Sequence, residues 1–92
     1  MSICVSESLT IVNKLGLHAR AATKLVELTQ QFQSTITISC EGKSANAQSV
    51  MALLLLAGAQ GKQITVQCTG EDAPAALEAV KALIANKFEE AE

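Results

Sequence analysis

At 92 residues the chain has room for one domain, spanning 1–92, and one modest core. An apolar fraction of 49% argues against disorder, and a net charge of −2 with interspersed signs offers no field for a polyanion. With Phe32 and Phe88 as the only aromatics and no Trp or Tyr, single-stranded nucleic acid has nothing to stack on, so nucleic acid is excluded as a partner.

Ile3, Val5, Leu9 and Ile11 alternate with Cys4, Ser6, Ser8 and Thr10, the period of a half-buried strand. Asn13 to Gly16 reads as a loop. From about Ala19 to Gln31 the residues Ala22, Leu25, Val26, Leu28 and Thr29 follow helical spacing, and Phe32 is expected to close the core just beyond. In the next strand Ile36, Ile38 and Cys40 share one face while Thr35, Thr37 and Ser39 share the other. Glu41-Gly42-Lys43 forms a tight hairpin turn into a short strand ending near Asn46.

Ser49 is placed to cap a short helix over Val50 to Ala57, with Gly58 and Gly61 bracketing its exit. A fourth strand, Gln63 to Thr69, turns Ile64, Val66 and Cys68 inward. Asp72 can cap a last helix that has Pro74 in its first turn and buries Leu77, Val80, Leu83, Ile84 and Phe88. The order βαββαβα, with one apolar and one polar face per strand, predicts an α+β open-faced β-sandwich. Its four-stranded antiparallel sheet carries three helices on one face and water on the other.

The second helix has more apolar surface than one buried face needs. Ala52, Leu53 and Leu56 cluster on one side, Val50, Met51, Leu54 and Leu55 on the other. Several of the latter four should stay exposed, as a partner contact or dimer interface, unless the last helix covers them. The run is far too short to cross a bilayer, and no signal peptide is visible, so the chain reads as cytoplasmic with no membrane partner. Cys4, Cys40 and Cys68 lack a CxxC pair and are expected to be reduced thiols, buried or half-buried. No metal site is expected.

His18, the only histidine, stands where strand-like sequence gives way to helix, after a glycine-containing loop and two residues before Arg20. A helix start supplies unpaired N–H groups and the positive end of the macrodipole. That pole disfavours a further positive charge, so an uncharged, nucleophilic imidazole is expected there, with donors already aimed at any anion it acquires. Arg20 adds a planar cation matched to phosphate oxygens. Metal ligation lacks a second histidine, and acid–base catalysis would need a pocket. Capture of a phosphoryl group needs neither.

Gly16-Leu17-His18-Ala19-Arg20, together with Gly42-Lys43-Ser44 and Ala47-Gln48-Ser49-Val50-Met51, resembles the histidine-containing phosphocarrier (HPr) family of the bacterial phosphotransferase system over essentially the whole chain. The resemblance implies a monomeric carrier, not a stand-alone enzyme, that needs no cofactor. His18 would accept a phosphoryl group at Nδ1 from the phosphoenolpyruvate-dependent enzyme I and pass it to enzyme IIA proteins, with Arg20 steadying the phosphate. Ala19, Val50, Met51, Leu54 and Leu55 would border His18 and dock the partners. Ser49 matches the position that a dedicated HPr serine kinase/phosphorylase modifies in part of the family; its other role is a plain helix cap. Two features depart from the commoner pattern: Ala21 replaces a frequent proline, and the second helix is more apolar and less basic. The second departure is more similar to the nitrogen-related (NPr) branch, which serves regulation, than to the sugar-uptake carriers. The competing reading is a small non-catalytic ligand-binding or regulatory module of split βαβ type.

Overall fold

The alternation of apolar and polar residues resolves into four strands, and the longer apolar stripes into three helices. The structure, a computed structural model, describes residues 3–89. Its elements are β1 (Ile3–Thr10), α1 (Ala19–Thr29), β2 (Thr35–Cys40), β3 (Lys43–Asn46), α2 (Val50–Leu55), β4 (Gln63–Gly70) and α3 (Ala73–Ala85), followed by a 3₁₀ turn at Lys87–Glu89. The sheet is antiparallel throughout, in the order β1-β4-β2-β3. The three helices cover one face, as the open-faced α+β sandwich requires.

Register explains which side chains go inward. Ile36 pairs with Cys68 and Ile38 with Val66, so the β2 and β4 apolar residues form one sheet surface. Onto it pack Ala22 and Leu25 of α1, Leu53 of α2, and Leu77, Val80 and Ile84 of α3, all buried. Facing the other way are Cys4, Ser6, Ser8 and Thr10 of β1 and Gln63, Thr65, Gln67 and Thr69 of β4. Thr35, Thr37 and Ser39 of β2 and Ser44 and Asn46 of β3 complete that face. No strand residue on it is charged. Ser39 and Ser44 share a hydrogen bond across it at 2.9 Å. The β2–β3 hairpin turns on Glu41 and Gly42, with φ of 50° and 84°, the left-handed pair that a two-residue turn between twisted strands demands.

Five expectations need correction. β1 is an edge strand, so Val5 and Leu9 are only half-buried and Ile3 is exposed. Cys4, expected to be at least half-buried, lies exposed on the open face, while Cys40 and Cys68 are buried. Its thiol accepts from Thr69 Oγ1 and Gln67 Nε2, and these bonds hold its pKa below the usual thiol range. α1 stops at Thr29, two residues early, and Phe32 lies beyond it, half-buried against the core. Likewise α2 ends at Leu55 instead of Ala57.

The fifth concerns the two ends of α3. Phe88 is buried but not helical: α3 ends at Ala85, and Lys87, Phe88 and Glu89 all have positive φ, turning the chain back under the core. Burying a phenylalanine is worth roughly 1.5–3 kcal/mol, the gain that offsets this unfavourable backbone. Asp72 stands at the N-cap position but makes no capping bond with its side chain. Its carboxylate instead accepts the Gln33 and Ser34 amides, each at 2.9 Å, and the Ser34 hydroxyl. It thereby ties the start of α3 to the segment entering β2.

That clamp depresses the Asp72 pKa below the ordinary aspartate range, chiefly through the Ser34 hydroxyl and then the Gln33 amide. With the folded-state value lowered, the unfolded chain binds the proton more readily. The clamp therefore stabilises above the ordinary range and is lost as pH falls through the folded-state value. Asp72→Asn should lower the thermal midpoint at neutral pH, and its deficit against wild type should shrink below about pH 4. Thermal melts across that range check this; a constant deficit would show that the carboxylate charge is immaterial.

Candidate functional site

The first turn of α1 is fixed from beneath by Ala21 and Ala22, both wholly buried, while Ala19 and Arg20 are exposed. His18 is the N-cap, with extended backbone (φ −85°, ψ 178°), and its carbonyl accepts the Ala22 N–H at 2.9 Å. Its half-buried ring accepts the Arg20 N–H on Nδ1 at 3.2 Å. An imidazole is an uncommon cap, because Ser, Thr, Asp and Asn do this better. The acceptor role of Nδ1 assigns the neutral ring's proton to Nε2 and leaves a lone pair facing the helix pole. The first turn itself carries no acidic residue. Arg20 in that turn works against the dipole, a local rule broken where function is the usual reason.

The loop entering His18 is held as tightly. Gly16 has φ 65°, and a Cβ there would run into the Gly58 carbonyl oxygen. That close approach lets Leu17 N–H donate to the Gly58 oxygen at 2.8 Å. The chain before His18 is thereby joined to the chain leaving α2.

α2 begins where expected. Ser49 is its N-cap; its Oγ accepts the Ala52 N–H at 3.2 Å and its carbonyl the Leu53 N–H at 3.1 Å. Asn46 Oδ1 accepts the Gln48 N–H at 2.9 Å, bending the chain into the cap. The helix packs against α1 and β3. Leu53 and Leu56 are buried, Ala52 and Val50 half-buried, Met51 and Leu55 each 71% exposed and Leu54 37%. The last helix therefore leaves this face open. Val50, grouped with the exposed residues from sequence, packs partly on the core.

Leu15 was missed. It is 69% exposed, and with Leu17, Ala57, Gly58 and Ala59 it lines a shallow apolar hollow of about 210 Å³ beside the loop that carries His18. A leucine inside a turn-forming run was the available signal. Among the described residues no cluster of three or more His, Cys, Asp or Glu could hold a metal, and no helix is long and apolar enough to cross a membrane. A larger hollow, about 360 Å³, lies between α1 and α3 beside Lys24, Leu28 and Leu83, towards the far end of α1 from His18.

Fold and site together define a class: a small open-faced sandwich that presents one helix-capping histidine beside an exposed apolar helix, instead of enclosing a pocket. Residues 5–86 match the family described as the PTS HPr component phosphorylation site. The phosphocarrier protein NPr of Shewanella violacea is 52% identical over 87 residues, covering 95% of this chain and 96% of that one. The phosphocarrier protein HPr of Xylella fastidiosa strain Temecula1 is 46% identical over 86 residues, covering 94% and 97%. The crystal structure of HPr-C-His from Thermoanaerobacter tengcongensis superposes with a TM-score of 0.90 at 34% identity, covering 96% and 99%. The chain belongs to the HPr family, NPr branch included, and is a phosphocarrier of the phosphotransferase system.

The two sides of α2 should separate in a mutational test. Leu53→Ala is expected to cost about 2–5 kcal/mol in chemical denaturation, the range for an emptied core leucine. Leu55→Ala should stay within about 0.5 kcal/mol of wild type, and Ser49→Ala should cost about 1 kcal/mol as a lost cap.

Proposed function

We propose that His18 takes a phosphoryl group on Nδ1 from enzyme I of the phosphotransferase system and hands it to enzyme IIA proteins. The observation that carries this reading is the Nδ1 lone pair held against the N-terminus of α1 by the Arg20 amide. Attack by that lone pair forms a nitrogen–phosphorus bond as the donor's own nitrogen–phosphorus bond breaks, and the departing nitrogen keeps the electron pair. No proton has to leave Nδ1, because the ring's proton sits on Nε2. Once Nδ1 is phosphorylated, the Arg20 amide that it had engaged can donate with its first-turn neighbours to phosphate oxygens, where the macrodipole favours negative charge. The Arg20 guanidinium supplies the compensating cation. Handing the group on reverses these steps.

Docking, in this reading, uses Ala19, Val50, Met51, Leu54 and Leu55, which a monomer leaves open to each partner in turn. Methionine and leucine suit a surface that must fit more than one shape. Ser49 caps the helix bearing that surface. A phosphate placed there by a serine kinase would keep an acceptor at the helix start while adding roughly −1.5 to −2 charge beside the patch. The apolar, uncharged α2 supports assignment to the nitrogen-related branch and a regulatory output in the cytoplasm; sugar uptake is the other output open to the family.

Incubation with phosphoenolpyruvate and enzyme I should yield an acid-labile, base-stable phosphate, observed by phosphorus NMR and abolished in His18→Ala. Arg20→Ala should slow transfer by roughly ten- to a hundredfold, the worth of a charge-assisted hydrogen bond, without altering the fold. Ser49→Asp should weaken transfer from enzyme I. Phosphate persisting in His18→Ala would overturn the assignment.

A further inference from the structure

The loop before His18 contains a wholly buried amide side chain that the reading above does not use. Asn13 donates from Nδ2 to the Gly16 carbonyl at 2.9 Å, and Gly16 N–H returns a bond to the Asn13 carbonyl at 3.2 Å. The same Gly16 oxygen accepts the His18 N–H at 3.0 Å. One carbonyl therefore joins a buried side chain to the backbone of the histidine. Between them, Leu17 N–H is fixed to the Gly58 oxygen at 2.8 Å, so residues 16 to 18 are restrained from both sides.

We propose that Asn13 is a positioning residue for phosphoryl transfer at His18. Through the Gly16 oxygen it sets the extended backbone at His18 that aims Nδ1 at the Arg20 amide. The inference rests on the reading of His18 as the phosphoryl acceptor. A backbone turn from 13 to 16 closes by itself through the Gly16 N–H. The side chain adds a second restraint, directed at the carbonyl that the His18 amide shares. Burying a carboxamide is costly unless it is hydrogen-bonded, and the bond to the Gly16 oxygen offsets that cost only while the loop keeps this geometry. Group transfer is sensitive to placement: a displacement of about 1 Å costs on the order of a hundredfold in rate. Asn13 contributes nothing to the α2 face, so its effect belongs to the chemical step and not to docking.

The test uses the full chain carrying Asn13→Asp, which is isosteric but sets a carboxylate oxygen against the Gly16 oxygen, and Asn13→Ala. Rapid-quench transfer from phosphorylated enzyme I should show the maximal rate constant reduced by about ten- to a hundredfold. The carrier concentration at half-maximal rate should change by less than about twofold. Nitrogen NMR of the His18 ring should show the Nδ1 resonance displaced in both variants, as its capping bond loosens. Ile38→Val, a conservative change inside β2, is the control for lost stability and should leave both readouts as in wild type. A wild-type maximal rate with an unmoved Nδ1 resonance in both Asn13 variants would overturn the proposal. So would equal slowing in the Ile38→Val control, or failure of both Asn13 variants to fold. If wild type itself accepts no phosphate from enzyme I, the reading of His18 fails, and the Nδ1 resonance alone decides whether Asn13 positions the ring.

Discussion

The structure turns on a hydrogen bond between a side chain and a helix end: Nδ1 of His18 receiving the Arg20 amide at the first turn of α1. Helix starts leave several amides without partners, and most chains answer with a hydroxyl or carboxylate. Here the answer is a ring with a usable lone pair. The bond matters only because the turn is anchored, and that follows from Ala21 and Ala22 being sunk completely in the core. The core in turn requires the β2 and β4 registers that set Ile36 against Cys68 and Ile38 against Val66. The strands can thus be read as support for one nitrogen atom's orientation.

Much of this was legible in the residues. Period-two alternation placed three strands and the Glu41-Gly42-Lys43 turn the fourth, and the Ser49 cap is where a serine before an apolar run belongs. His18 was identifiable as the start of α1 because a glycine loop precedes it and apolar helical spacing follows. The departures share a cause: local patterning carries no information about which strand lies at an edge or where a long side chain finds a distant partner. Ile3 lies further out than its alternation implies because β1 has a neighbour on one side only. Asp72 fits the composition of a cap, yet its carboxylate bonds to Gln33 and Ser34, 39 and 38 residues away in the chain.

Stability and display are divided between the faces of α2. Its inner residues Leu53 and Leu56 hold the helix down, and its outer residues Met51 and Leu55 contribute little to folding. A six-residue helix is too short to persist on its own. Its order depends on the Ser49 cap, the Asn46 bend before it and the packing on α1 and β3. Whatever alters the cap acts on the scaffold of the exposed face as well as on its charge.

The uncharged open side of the sheet has a kinetic consequence. The strands hold only two charged residues, Glu7 and Lys43. Both project to the layer where the helices lie, Glu7 reaching Lys81 at 3.1 Å. Long-range attraction is carried by fixed charge and dies away within about 8 Å at physiological ionic strength. An approaching molecule therefore feels almost nothing over the hydroxyl-and-amide hemisphere and a patterned field over the other. Diffusive encounters are biased in orientation before any atoms touch, which narrows the rotational search by favouring approaches with the helical layer foremost.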